Sequence, residues 1–308
     1  MVKEGEEARR AVAEASRRTT SRRDLSRQRR FDEVSPEIGE LDEDAFETAM
    51  DDDPDAALTL LAELTGATDE RLRLLARRLA GRVIVDLARV GVARRRGVGR
   101  IDRDRARSAV GDVDLDASVD AIVDARAARR APNLDDLTVQ TWRRPDTALC
   151  LLVDRSGSML GARLAAAAVA AAAVVYRHGH DCSVVAFSDE AIVLKSQDAP
   201  RSADELVGDL LRLRGHGTTD VGLALRTARA QLARSTAGRR VAVLLSDCRP
   251  TTGGDPTADA AKLDELAILA PGGDLADAQA LADAIGGRCV ALAGPAHVPE
   301  ALVEALLG

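Results

Sequence analysis

Aromatic residues are scarce: they make up 2% of the 308 residues, and Trp142 is the only tryptophan. Hydrophobic residues still reach 46%, with alanine supplying much of that share, so a core here must be built by close packing of small side chains. Lysine is nearly missing as well. Lys3, Lys195 and Lys262 are the whole set, and none follows a glycine. The chain therefore has no G-K-[S/T] phosphate loop and is not expected to hydrolyse ATP itself. Four cysteines (Cys150, Cys182, Cys248, Cys289) show no CxxC spacing. Three of them fall in predicted strands, where a reduced, packed thiol is the ordinary state. No apolar run approaches the roughly 18–20 residues that span a bilayer. The N-terminus, M-V-K-E-G-E-E-A-R-R, lacks the apolar core of a signal peptide. A cytoplasmic protein with no membrane span is expected. The net charge of −7 argues against general nucleic-acid binding.

What is present divides into three parts. Residues 1–52 form a charged segment, Arg-rich to residue 30. From 31 to 57 acids such as Asp32, Glu43 and Asp51–Asp53 stand without any base. Charge blocks of this kind predict a solvated, mobile segment. A helical region is predicted over 53–140. Asp53-Pro54 reads as an N-cap followed by proline at the first helical position, opening a helix over Ala56–Leu64. Thr68-Asp69-Glu70 opens a longer helix, with Leu72, Leu75, Leu79, Val83, Leu87 and Val90 forming one stripe. The basic, glycine-punctuated stretch Arg94–Arg107 reads as a solvated loop. A third helix, Asp116–Arg130, and a short extended piece, Leu137–Trp142, follow.

Residues 145–308 alternate strands and helices. Predicted strands are Thr147–Val153, Cys182–Phe187, Ala191–Lys195, Arg240–Leu245, Leu263–Leu269 and Arg288–Ala293. Only Ser188-Asp189-Glu190 separate the second from the third, so these two form a hairpin and the third is antiparallel. The pattern predicts an α/β fold: a doubly wound, mostly parallel six-stranded sheet with one antiparallel edge strand, preceded by the small helical region.

Ligands of such sheets sit just beyond the carboxyl ends of the strands. Three loops should converge there: Asp154, Ser156 and Ser158 after the first strand, Gly215–Asp220 before a helix, and Asp247 after the strand Val241–Leu245. Asp154 and Asp247 both end apolar strands, where an unpaired carboxylate is costly and a shared cation offsets the cost. Carboxylates and hydroxyls are hard oxygen donors, which suits Mg²⁺ or Mn²⁺ better than zinc.

Together, D-R-S-G-S-M, G-T-T-D-V-G-L-A-L and L-L-S-D resemble the three parts of a metal-ion-dependent adhesion site. That site belongs to the von Willebrand factor A (VWA) domain, and the resemblance covers about Thr147–Gly308. Within the family the chain looks closest to intracellular CoxE-like and magnesium-chelatase D-subunit types, which share the basic lead-in Asp136–Pro145. The resemblance implies that Ser156, Ser158 and one threonine ligate Mg²⁺ directly. Thr219 aligns best, with Thr218 as the fallback. Asp154 and Asp247 would act largely through water, and a client protein would complete the shell with a carboxylate. The resemblance further implies an adaptor for a MoxR-type AAA+ ATPase, acting in client remodelling or in cofactor or metal insertion. A subunit of a metal chelatase is the alternative. Two departures stand out. Cys248 replaces a glycine common after the third-loop aspartate. Arg155 places a large cation in the first loop and is expected to point outward, toward a partner.

Enzymatic readings fare worse. Ser156, Asp247 and His297 run in α/β-hydrolase order, yet the nucleophile elbow needs glycine where Asp154 stands. A metal-dependent hydrolase is the remaining alternative, and no catalytic residue is assigned. His178-Gly179-His180-Asp181-Cys182 reads as exposed loop histidines without metal, and His216 as a rim residue.

Overall fold

The computed structural model describes residues 1–90, 100–105, 112–133, 136–143, 147–156, 161–179, 181–213, 215 and 217–307. Ser158, His180, His216 and the basic stretch outside 100–105 lie beyond the described residues. In chain order the elements are β1 (Val2–Lys3), α1 (Glu6–Ala15), α2 (Arg22–Leu25), α3 (Phe31–Val34), α4 (Glu43–Asp52), α5 (Pro54–Leu64) and α6 (Glu70–Val90). Next come β2 (Arg100–Arg105), β3 (Asp112–Val113), α7 (Leu115–Ala127), β4 (Thr138–Arg143), β5 (Thr147–Asp154), α8 (Ala162–His178), β6 (Cys182–Phe187) and β7 (Ala191–Lys195). The rest are α9 (Ala203–Arg212), α10 (Val221–Leu232), β8 (Arg239–Leu245), α11 (Thr257–Ala260), β9 (Glu265–Pro271), α12 (Ala276–Ile285), β10 (Arg288–Leu292) and α13 (Val298–Leu306).

Two compact units result: residues 94–146, and residues 1–93 with 147–308. The predicted helical region thus divides between them. In the smaller unit β2 and β3 flank β4 in an antiparallel sheet. Asp114 caps α7 by accepting the Ala117 amide at 3.1 Å, and the buried Ser118 hydroxyl accepts the Thr138 amide at 2.9 Å.

The larger unit carries a seven-stranded sheet of order β1-β7-β6-β5-β8-β9-β10. β5 lies at its centre, parallel to β6 and β8, with Asp154 opposite Phe187 and Val153 opposite Leu245. Its uninterrupted burial from Ala148 to Asp154 explains the run of apolar residues without alternation. β7 is antiparallel to β6 as expected, but it is not the edge. Val2–Lys3 adds a seventh strand parallel to it, held by the Ala191 amide on the Met1 carbonyl at 2.9 Å. Two residues are too few to leave a periodic signal.

The expectation of a mobile segment over 1–52 is corrected. These residues form four helices, with Val12, Leu25, Phe31, Val34 and Phe46 buried in the main core. Charge counting missed them because each short helix contributes only one or two apolar anchors. The acids serve at the surface. Arg30 pairs with Glu33 at 2.8 Å and Asp52 at 2.7 Å, while Asp42 and Asp53 cap α4 and α5.

Helix α8 explains why the N-terminal helices belong to this unit. Leu164 to Val174 is an unbroken buried run, so the helix is covered all round. β5 packs on one side, and α5, α6, α9 and α13 on the others. Alanine on α8 meets small residues on α6, where Ala76, Ala80 and Ala88 are fully buried. The predicted α6 stripe is accordingly turned, with Leu75, Val83 and Leu87 only partly buried.

Two predictions follow from this packing. Ala168→Leu adds three side-chain heavy atoms at a fully buried position, and should destabilise by about 1–3 kcal/mol, read as a fall in the urea midpoint. Glu4, bonded to Arg234 at 2.6 Å, has its carboxyl held down at about 2 from 4.5 by that guanidinium. A depressed carboxyl stabilises above its unfolded value and ceases to as pH falls toward the folded one. Protection of the Ala191 amide from exchange should therefore be lost as pH drops from about 4.5 to 2, and in Glu4→Gln at neutral pH.

Candidate metal centre

β5 ends on Asp154, which is 3% exposed. Its Oδ1 accepts the Ser156 amide at 2.8 Å, and its Oδ2 accepts the Ser246 hydroxyl at 2.8 Å. Among the described residues these donors are neutral, so the carboxylate is desolvated without an opposing charge. Burial accordingly pushes the Asp154 carboxyl up, and nearby Asp247 adds to the shift. Ser246 is the pivot: its Oγ also accepts the Cys248 amide at 3.0 Å, tying the end of β8 to the end of β5.

The second loop is fixed mainly by its backbone. The Asp220 amide donates to the Ser188 carbonyl at 3.0 Å, just past β6, and Asp220 Oδ1 caps α10 through the Leu223 amide at 2.8 Å. Thr219 is buried. Its amide donates to Thr251 Oγ1 at 2.8 Å, and its carbonyl accepts the Thr251 and Thr252 amides at 3.0 and 3.2 Å. Thr218 is exposed and accepts a long bond from Thr252 Oγ1, at 3.4 Å. The second and third loops are thereby stitched together through 251–252, a contact the sequence reading missed. The T-T pair itself was visible, but nothing marked it as a partner of Thr219.

In the third loop Asp247 Oδ1 accepts the Arg249 amide at 3.2 Å, and Oδ2 accepts Arg163 Nη1 at 3.2 Å. Cys248 has φ +59°, the left-handed region that glycine favours, and its side chain is buried. The departure from glycine is accommodated by strain, and the buried thiol is held protonated by desolvation.

Arg155 contradicts its expectation. It turns inward, 5% exposed, with Nη2 on Glu190 Oε1 at 2.7 Å. Glu190 also receives Lys3 at 2.5 Å, so the β6–β7 hairpin supplies the counter-charge that makes the inward pose possible. Burial pushes the guanidinium pKa down, although it stays a cation.

The fold thus brings Asp154, Ser156, Thr219 and Asp247 to one sheet edge; Ser158 lies outside the described residues. Hydroxyls and two close carboxylates, one desolvated and one held by a single arginine, fit a small, hard divalent cation. His297 lies beside Asp55, its Nδ1 3.6 Å from Asp55 Oδ2. His178 turns to the Thr147 carbonyl at 3.3 Å instead of standing exposed, and burial pushes its pKa down.

A family model described as the von Willebrand factor type A domain matches residues 149–250. No curated protein matches the chain. Among solved structures, von Willebrand factor type A from Catenulispora acidiphila is 21% identical with a TM-score of 0.44, over 54% of this chain and 43% of that one. Proximal thread matrix protein 1 from the mussel byssus, with a zinc occupied MIDAS motif, is 15% identical with a TM-score of 0.42, over 52% and 47%. An aerotolerance-related membrane protein from Bacteroides fragilis is 18% identical with a TM-score of 0.40, over 52% and 97%. The chain spans less than half the length of the first two.

Ser246→Ala tests the pivot. It leaves Asp154 Oδ2 and the Cys248 amide without their partner, and should cost about 1–3 kcal/mol in the denaturant midpoint. A surface serine such as Ser26 should lose less than about 0.5 kcal/mol on the same change.

Proposed function

We propose that the edge of the sheet in the VWA segment is a metal-ion-dependent adhesion site, and that the chain is a Mg²⁺-dependent protein–protein interaction module, not an enzyme. Asp154, Ser156, Ser158, Thr219 and Asp247 would hold Mg²⁺ or Mn²⁺. The observation that carries this reading is the desolvated Asp154 carboxylate, which among the described residues has neutral donors and a second carboxylate beside it. A divalent cation removes that electrostatic conflict. Bound there, Mg²⁺ supplies an exchangeable coordination position that a partner's carboxylate can take.

The chain's own residues do the rest. Ser246 orients Asp154, the Thr251–Thr219 bonds fix the second loop, and Arg163 holds Asp247. The inward Arg155–Glu190 pair keeps the first loop on the hairpin and leaves no cation of that loop for a partner. On the resemblance of its motifs, the partner is a MoxR-type AAA+ ATPase acting on a client protein in the cytoplasm.

Affinity purification of the tagged full chain from its host tests the proposal, with wild type and Asp154→Ala each in Mg²⁺ and in chelator. An AAA+ ATPase recovered only with wild type in Mg²⁺ is the expected result. The same partners in all four samples would remove the metal from recognition.

A further inference from the structure

A cavity of about 110 Å³ opens beside the candidate metal centre. Ala166, Leu245, Pro271, Leu292 and Pro295 supply apolar lining, the partly exposed Arg163 and Asp247 side chains mark its lip, and the buried Asp154 lines it as well. The wall is built in advance. The turn after β10 is pinned from α5, where Asp55 Oδ1 accepts the Ala296 amide at 2.8 Å. A Cβ at Gly294 would collide with that same Asp55 carboxylate, so the close approach requires glycine. Gly161, at the head of α8 with φ +55°, lies against Thr59 of the same helix. Helix α5 therefore fixes the Gly294–Pro295 side of the pocket and packs against the residue that precedes α8.

The size suits one aliphatic side chain: an apolar cavity of about 150 Å³ is known to take a benzene ring. The charge at the lip chooses the neighbour. Two carboxylates against one guanidinium leave it negative and hostile to an acid. A divalent cation reverses the sign, and a carboxylate then becomes the favoured group.

We propose that this cavity is a specificity pocket for the partner protein, taking the branched aliphatic side chain next to the carboxylate that completes the metal's shell. This rests on the metal-site reading above. The recognised feature is an acidic residue joined to leucine, isoleucine or valine in an exposed segment of the partner. Apolar burial supplies selectivity, and the cation supplies the requirement for the acid. Arg163, at the lip, can share its guanidinium between Asp247 and the incoming carboxylate.

The test titrates the full chain with three capped dipeptides, acetyl-Asp-Leu-amide, acetyl-Asp-Gly-amide and acetyl-Asn-Leu-amide, in Mg²⁺ and in chelator, followed by NMR. In Mg²⁺ the Asp-Leu peptide should bind at least about tenfold more tightly than Asp-Gly, the scale of an isobutyl group entering an apolar pocket. Asn-Leu should bind weakly, and chelator should abolish Asp-Leu binding. Ala162→Leu, at an exposed position on the rim, and Ala166→Val, in the wall, should each erase the leucine preference while Mg²⁺ affinity is unchanged. Equal affinity for Asp-Leu and Asp-Gly in Mg²⁺ would overturn the pocket and spare the metal reading. A leucine preference that persists in chelator, with Asn-Leu equal to Asp-Leu, would overturn the metal reading and the coupling inferred from it.

Discussion

A carboxylate is buried at the end of the central strand, and much of the molecule is arranged around that cost. Asp154 sits where β5 leaves the sheet, screened from water, and among the described residues it is supported by neutral donors of Ser156 and Ser246. An ion in that position is tolerated when neighbouring groups or a bound cation offset its desolvation. Its neighbours are set out accordingly. Ser246 bridges two strand ends, the 251–252 backbone clamps Thr219, and Arg163 neutralises Asp247. Each of these contacts fixes a loop, and together they bring hard oxygen donors to one sheet edge.

Rigidity comes from the other side of the sheet. Helix α8 starts beside the first loop and is buried from Leu164 to Val174, which small residues permit. The N-terminal helices close over it, and α5 reaches the edge itself through Asp55 and Thr59. The N-terminal layer is thus part of the scaffold of the site and not an appendage to it. The same layer is joined to the sheet through β1, where Lys3 meets Glu190, the partner of Arg155. Residues far apart in sequence therefore support one loop.

Much of this was legible in the sequence, for identifiable reasons. Six strands were readable because a doubly covered strand is apolar throughout, and the meeting of Asp154, Ser156, Thr219 and Asp247 at one sheet edge because acids and hydroxyls follow such strands directly. Asp53-Pro54 announced α5 through its cap chemistry alone. Arg155 was misread because its counter-charge, Glu190, lies 35 residues away on a hairpin whose proximity only pairing in the sheet reveals. The segment 1–52 was misread because its helices are short and their apolar anchors are outnumbered by charge. β1 escaped because two residues carry no pattern. The turned face of α6 followed from contact with the alanines of α8, which favours small residues over the leucine stripe.

The most direct measurement is paramagnetic broadening of the amide resonances of the full chain by Mn²⁺, with Mg²⁺ as competitor. Broadening confined to amides around Ser156, Thr219 and Asp247, reversed by Mg²⁺ and absent in Asp154→Ala, is the predicted result. Broadening centred on the exposed acids Asp51 and Asp52, or unaffected by Asp154→Ala, would contradict the claim that the three loops hold one cation.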